Sequence, residues 1–149
     1  MAVNSAWPGV ETLVPHRGMA RFISRVVSAS ETSIKAVGLI PAGHPLVTGG
    51  VAPACLALEL AAQAAAALEA IHRLAASPAD PPKAGSLVRI REARFDRVSL
   101  PVDTPIEITA DLIGSAPPLA IYAIRATLER TPLVRGTIST FAGPAGGRR

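Results

Sequence analysis

The sequence predicts an α+β fold in which an antiparallel sheet wraps around one long helix. Two strands, 21–29 and 33–39, precede an apolar helix that spans 53–76. Four further strands follow the helix: 86–95, 105–113, 119–129 and 133–141. Because the helix is apolar nearly all round, enclosure by a sheet is the economical way to bury it.

Turn-forming residues separate these elements. Pro15 ends a short helical turn at 10–14, and Pro53 suits the first turn of the long helix, where its missing N–H would have no partner. A hairpin turn is expected at 30–32, and the three prolines of 77–82 indicate a surface loop. The turns between the later strands are expected at 100–104, 114–118 and 130–132.

The length of 149 residues fits a single domain, with a core at 11–141 and a frayed tail at 142–149. Hydrophobic residues make up 49% of the chain but aromatic residues only 3%, so the core must be mainly aliphatic. The single cysteine excludes an internal disulfide, which fits a reducing cytoplasm.

Charge and hydropathy exclude two classes of partner. The formal net charge is +4, yet the basic residues are scattered and aromatic side chains that could stack on bases are scarce, so no nucleic acid is expected. The longest apolar run, 51–71, contains two glutamates and a glutamine, which indicates a core helix rather than a membrane span. The first residues lack the pattern of a secretory signal, so we expect a soluble, cytoplasmic protein.

The densest basic cluster lies around the first strand after the helix and comprises Arg89, Arg91, Arg94 and Arg97. Leu87, Val88 and Ile90 partly alternate with these arginines, which predicts a strand with one solvated basic edge. The cluster is either an ordinary charged face or a docking patch for an acidic partner, where such charges accelerate encounter.

The segment Gly43–Gln63, with the sequence GHPLVTGGVAPACLALELAAQ, carries the candidate site. His44 is expected in a loop, and Glu59 is embedded among alanines and leucines of the helix. Burying a carboxylate costs free energy, so Glu59 is expected either to have hydrogen-bonding partners or to serve a function. A histidine and an acid near a helix N-terminus are the groups needed for acid–base chemistry on a polarised carbonyl.

Three segments resemble one family, the hotdog-fold 3-hydroxyacyl-acyl carrier protein dehydratases, over roughly residues 11–141. Residues 13–17, with the sequence LVPHR, and the following 22–26 are similar to the family's "L-x-P-H-R … DRV" segment. Residues 53–63 resemble its "P-G-x-x-x-x-E-x-x-A-Q" helix. Residues 93–101 are similar to its "A-x-F-x-x-x-V-x-P" strand.

The resemblance implies a dimer whose active site is shared across the interface, and no metal or redox cofactor. The substrate would be a 3-hydroxyacyl thioester on the phosphopantetheine arm of acyl carrier protein. His44 of one subunit would take the proton at C2, about 4–6 Å from Glu59 of the other. Glu59 would protonate the departing C3 hydroxyl, and a narrow apolar tunnel would lead past both residues. Backbone N–H groups at the helix start would hold the thioester oxygen, and the substrate-binding candidates are Gly49, Gly50, Ala54, Cys55 and Gln63.

Some family positions differ in this chain. The family's catalytic loop reads Gly-His-Phe-Pro, whereas residues 43–46 read Gly-His-Pro-Leu. Ala54 replaces the glycine of the helix motif, and Ser24 replaces the aspartate of "DRV". These changes resemble a divergent branch, the dehydratase-like subunits of aryl-polyene clusters. The possible assemblies are therefore a homodimer, a higher hotdog oligomer, or a heterodimer with another dehydratase-like subunit.

Several alternatives stay open at this point. Glu59 is either a catalytic acid or a buried carboxylate capped by the backbone or by Gln63, and Gln63 either orients it or hydrogen-bonds a strand. His16 is expected to be structural, and His72 to face solvent or the helix dipole. Cys55 either packs as a small apolar group or, with a lowered pKa, is a thioesterase nucleophile. The whole protein is thus a dehydratase, a thioesterase in which Glu59 activates water, or a non-catalytic acyl-binding subunit.

Overall fold

The computed structural model describes residues 7–79 and 84–143. These residues form two helices, eight strands and a 3₁₀ turn at Gly18–Ala20. The long helix and six of the strands follow the predicted order, whereas two three-residue strands were not predicted. The helices are α1 (Val10–Leu13) and α2 (Leu56–Ala76). The strands are β1 (Ile23–Ala29), β2 (Ser33–Gly38), β3 (Val51–Pro53), β4 (Ala84–Phe95), β5 (Ser99–Pro101), β6 (Ile106–Ala116), β7 (Leu119–Leu128) and β8 (Thr131–Gly143).

Six strands form one antiparallel sheet in the order β1-β2-β6-β7-β8-β4, and β3 pairs with β5 in a separate ribbon. Side chains alternate along the strands, so that β2 and the first half of β6 bury every second residue against α2. The core they form is aliphatic, with Ile34, Ile106, Ile108 and Ile138 fully buried. This arrangement confirms the predicted fold class.

The long helix fits closely under the sheet because its buried face is rich in alanine. Ala57, Ala61, Ala64, Ala65 and Ala67 are all fully buried. Short side chains let the helix approach the strands without voids, so a core with few aromatic residues still reaches native packing.

The start of the helix was predicted three residues too early. Pro53 is the last residue of β3, which pairs with β5 residue by residue, and α2 begins only at Leu56. The same ribbon corrects the predicted turn at 100–104, since Leu100 and Pro101 belong to β5. Three-residue strands carry too little periodicity to stand out from loops in the sequence.

The predicted ends of the chain are only partly described. β8 continues to Gly143, two residues into the predicted tail, and residues 144–149 lie outside the described part. Of the predicted loop at 77–82, only residues 77–79 are described. Among the described residues, no helix has the length and hydropathy that a membrane crossing requires.

One fully buried polar side chain, Gln63, fastens α2 to the start of β1. Its Oε1 accepts hydrogen bonds from the backbone N–H groups of Phe22 (2.8 Å) and Ile23 (3.2 Å). Its Nε2 donates to the carbonyl oxygen of Ala20 (2.8 Å) and to Oε1 of Glu59 (3.1 Å). All four hydrogen-bonding positions of the amide are therefore used, which is the condition for burying it without a large cost.

We expect Gln63→Leu to lower the free energy of unfolding by about 2–4 kcal/mol, because two buried backbone N–H groups would lose their acceptor. Urea denaturation measures this change. Lys35→Met is the control, since it removes only the exposed ion pair with Glu107 and should change stability by less than about 1 kcal/mol. Equal effects of the two substitutions would contradict the fastening role of Gln63.

Candidate active site

A cavity of about 630 Å³ runs along one side of α2. The segment around α1, the helix itself and strands β4, β7 and β8 form its walls. Its volume lies in the range of small-molecule sites, roughly 300–1,000 Å³. Glu59 and His16 line one part of the cavity, and Glu69, Tyr122 and Thr140 line another.

Glu59 lies in the first turn of α2, where the helix dipole favours a negative charge. Its Oε1 accepts the hydrogen bond from Gln63 and lies 3.0 Å from Nε2 of His16. No hydrogen bond to Oε2 comes from the residues that the structure describes. The carboxyl group is thus oriented through one oxygen, while the other is open to a ligand.

His16 is part of the Pro-His-Arg segment, and Arg17 positions it. The guanidinium of Arg17 donates to the carbonyl oxygens of Glu11, Val14 and His16, which holds this loop in place. Nδ1 of His16 is buried and has no partner among the described residues. His16, expected to be only structural, therefore contacts the candidate acid directly.

His44 lies apart from Glu59 and His16 within this chain. Its ring packs edge-on against Phe22, with 5.3 Å between ring centroids, and its Nδ1 accepts a hydrogen bond from the backbone N–H of Leu46 (3.2 Å). It does not line the cavity that contains Glu59. The predicted contact with Glu59 joins two subunits, so it stays a prediction.

Gly49 and Gly50 form the tip of a two-residue hairpin closed by the bridge between Thr48 and Val51. Both have positive φ values, +60° and +77°, as a type I′ turn requires. An added Cβ would meet no atom within 4 Å at either position, so the backbone conformation and not the space calls for glycine. Neither residue lines the cavity.

The N–H groups at the start of α2 divide into two kinds. The N–H of Ala54 donates to the carbonyl oxygen of Val98 (3.1 Å) and is occupied. No backbone acceptor among the described residues receives the N–H groups of Cys55 and Leu56. Cys55 is exposed and lies four residues before Glu59, about 6 Å along the axis. These two N–H groups, unlike that of Ala54, can donate to a ligand, but none of the three residues lines the cavity that contains Glu59.

The far part of the cavity contains a polar cluster that the sequence did not predict. Oε1 of Glu69 accepts hydrogen bonds from Tyr122 Oη (2.8 Å) and Thr140 Oγ1 (3.0 Å). Tyr122 is 1% exposed and Thr140 7%. The sequence signal was a second glutamate in the apolar run, but its partners lie 53 and 71 residues away. His72, nearby, contacts the carbonyl oxygen of Ser30 (3.0 Å).

The predicted basic strand is β4, at the edge of the sheet. Arg89, Arg91 and Arg94 are exposed and pair in register with Ser139, Thr137 and Arg135, and Arg97 is exposed beyond the strand's end. Arg135 also pairs with Arg125, so Arg94, Arg135 and Arg125 form a row across three strands. Like charges directly opposite each other destabilise a sheet.

This arginine row lines a shallow cleft of about 390 Å³ on the outer face, together with Glu92 and Asp111. Only its β4 member was a predicted docking residue, because the other two come from strands that are distant in sequence. Among the described residues, no group of three or more His, Cys, Asp or Glu side chains could hold a metal ion.

Comparison with known proteins identifies a sequence family and a set of structures with the same fold. Residues 8–146 match the family model described as ApeP-like, ApeP dehydratase. No functionally curated protein matches the chain in sequence.

The solved structures that resemble the chain share its fold at low identity. The dehydratase heterocomplex ApeI:P from Xenorhabdus doucetiae superposes with a TM-score of 0.83 at 20% identity, covering 92% of each chain. A hypothetical thioesterase with coenzyme A from Streptococcus pneumoniae gives 0.58 at 10% identity, covering 83% of this chain and 88% of the other. A sigma28-regulated virulence protein from Campylobacter jejuni, Cj0977, gives 0.64 at 10% identity, with coverages of 89% and 92%.

Tyr122, the single tyrosine of the chain, provides a pH-dependent test of the polar cluster. Burial, and then the charge and hydrogen bond of Glu69, raise the pKa of Tyr122 far above its usual value of about 10. The folded state therefore holds the phenol proton more tightly than the unfolded state. This contribution to stability is complete below about pH 10 and is lost as the pH rises further.

We expect alkaline titration, followed by tyrosinate absorbance, to show no ionisation of the folded protein near pH 10. Glu69→Gln should lower the pH at which Tyr122 ionises, because the neighbouring charge is removed. Glu107→Gln makes the same chemical change at an exposed position and should leave the titration unchanged. Ionisation near pH 10 with the fold intact would contradict the assigned environment.

Proposed function

Since the chain belongs to the ApeP-like dehydratase family, we propose that it dehydrates 3-hydroxyacyl thioesters on acyl carrier protein to trans-2-enoyl thioesters. One observation carries this proposal: Glu59 faces a cavity of about 630 Å³ with one oxygen oriented by His16 and Gln63 and the other open. An oriented carboxyl group beside an apolar cavity suits proton transfer to a bound acyl chain.

The reaction removes a proton from C2 and the hydroxyl group from C3, and releases water. With Oε1 of Glu59 accepting hydrogen bonds, Oε2 is the oxygen that carries the proton to the departing hydroxyl. The base that takes the C2 proton would be His44 of a second copy. Return of that proton from the histidine to Glu59 resets the site. The unpaired N–H groups of Cys55 and Leu56 suit the thioester oxygen, where such donors stabilise developing charge by about 3–4 kcal/mol.

A second subunit is expected to complete this site. β4 is an edge strand of 12 residues, and Val88 and Ile90 on it are 53% and 46% exposed. An edge strand of this length has unpaired backbone N–H and C=O groups that can pair with a strand of another chain. Edge-to-edge pairing of β4 would supply the partner, either a second copy or another dehydratase-like subunit. The heterocomplex ApeI:P is an assembly of the second kind.

The arginine row Arg94–Arg135–Arg125 suits the docking of an acidic carrier protein. Among the described residues, no carboxylate forms a salt bridge with any of these three arginines, so their charges are available to a partner. Charges of this kind chiefly raise the association rate and depend on salt.

Thioester hydrolysis is the second candidate, because the same carboxylate could activate water instead. The fold is shared with a thioesterase, but a fold does not decide the reaction. The two reactions differ in their products: elimination forms a conjugated enoyl thioester, whereas hydrolysis releases a free thiol. One reaction mixture followed by absorbance and by a thiol reagent separates them.

We expect Glu59→Gln to lower the dehydration rate by about 10²–10⁴-fold, the usual contribution of a general acid. The assay follows enoyl thioester formation from a 3-hydroxyacyl-carrier protein with the full chain in the oligomer that it forms. Glu107→Gln is the matched control and should retain full activity, since its side chain lies outside the cavity. Full activity of Glu59→Gln would exclude Glu59 as the acid.

Two histidine substitutions in the same assay identify the base. We expect His44→Ala to lower the rate as strongly as Glu59→Gln does, and His16→Ala to lower it less, because His16 only orients the acid. The opposite order would make His16 the base within one chain. Folded variants that are as active as the unaltered protein would exclude both histidines.

The docking role of the arginine row is tested by charge reversal. We expect Arg94→Glu together with Arg135→Glu to raise KM for a carrier-protein substrate at least tenfold, because an attraction becomes a repulsion. KM for the same acyl group on free pantetheine should not change, since that substrate does not carry the carrier protein. An equal rise for both substrates would place the effect in the cavity and contradict the docking role.

A further inference from the structure

The cavity has polar groups at two separate places on one helix. Glu69 follows Glu59 by ten residues on α2, which corresponds to about 15 Å along the helix axis. Both carboxylates line the same cavity. A molecule that contacts both therefore needs a polar group at each end.

The wall between the two carboxylates is apolar and has small side chains. On α2 it consists of Ala62 and Ala66, one helical turn apart. Leu87 and Leu112 face the cavity from the sheet. Alanine leaves space beside the helix where a larger side chain would fill it, so this wall suits an extended hydrocarbon chain.

The geometry of Glu69 leaves one oxygen for a ligand. Oε1 already accepts hydrogen bonds from Tyr122 and Thr140, whose side chains are almost fully buried. No hydrogen bond to Oε2 comes from the residues of 7–79 and 84–143. Oε2 is not a buried atom, so it is open to the cavity. A bound hydrogen-bond donor would satisfy Oε2.

We propose that Glu69 selects acyl chains that carry a hydroxyl group at the end far from the thioester. The proposal rests on the proposed function, in which Glu59 acts on C3 of the same chain. A carboxylate only accepts hydrogen bonds, so the distal group must be a donor. A terminal carboxylate would be repelled by Glu69, whereas a hydroxyl group can donate to it without carrying a charge into the apolar part of the cavity.

A purely structural role for the cluster makes a different prediction. If Glu69 only fastens α2 to β7 and β8, its replacement lowers the stability of the protein and changes the affinities for all ligands by the same factor. If it contacts the chain end, its replacement changes the preference between two ligands. The ratio of two affinities is therefore the informative quantity.

Calorimetric binding to the full-length protein tests the proposal without requiring turnover. The probes are two pantetheine amides whose acyl chains are equally long and end in a methyl or a hydroxyl group, in a series of chain lengths. At the best length we expect the hydroxyl-ended chain to bind about tenfold tighter or more, the usual effect of a hydrogen bond to a charged group. Glu69→Gln should reduce this ratio severalfold, and Glu69→Leu should reverse it.

Glu107→Gln is the matched control and should keep the ratio, because Glu107 lies outside the cavity. Glu69→Gln has nearly the same size and shape as the original side chain, so it tests the ratio even if Glu69→Leu does not fold. Equal binding of the two probes to the unaltered protein, an unchanged ratio in Glu69→Gln, or binding of neither probe would each overturn the proposal.

The outcome is separable from that of the proposed function. Dehydration of methyl-ended substrates with no preference for the hydroxyl-ended chain would overturn the selectivity and leave the reaction standing. A hydroxyl preference that Glu69→Gln removes, in a protein that forms no enoyl thioester, would support the selectivity and count against the reaction.

Discussion

The hydrogen bonds of the Gln63 amide are the constraint on which the fold and the site both depend. This polar side chain lies in the apolar core. It is tolerated there because it hydrogen-bonds two backbone N–H groups and one carbonyl oxygen where the chain enters β1. At that point the 3₁₀ turn at Gly18–Ala20 has just ended and β1 begins at Ile23. A buried amide with four partners has only one arrangement, so it fixes the helix against the strand.

The same amide fixes the chemistry of the cavity. Its last hydrogen bond goes to Glu59, one turn earlier on α2, and His16 contacts the same oxygen from the other side. The position of His16 depends in turn on Arg17, which holds the N-terminal segment by three carbonyl oxygens. The orientation of the carboxyl group thus follows from the packing of the fold, and its free oxygen needs no rearrangement before it meets a ligand.

The sequence predicted those features that periodicity and local chemistry encode. The long helix, the six main strands and Glu59 are each indicated by a pattern of residues that are close together in the sequence. Sequence patterns do not indicate the β3–β5 ribbon, because three-residue strands have no period. They do not indicate the contact of His16 with Glu59 either, because the two residues are 43 positions apart. The arginine row was incomplete for the same reason, since Arg125 and Arg135 join Arg94 only through sheet register.

The alanine residues of α2 allow close packing on one face of the helix and leave space for a cavity on another. On its buried face, alanine allows the sheet to approach closely, and fully buried residues such as Ala61 and Ala65 leave no gap. On the face towards α1 and the cavity the same residue type leaves space, and Ala62 and Ala66 line the cavity there. Glu59 and Glu69 are the acidic side chains on that open face. A carboxylate is tolerated there because the cavity gives its free oxygen access to water or to a polar ligand, which the packed face could not provide.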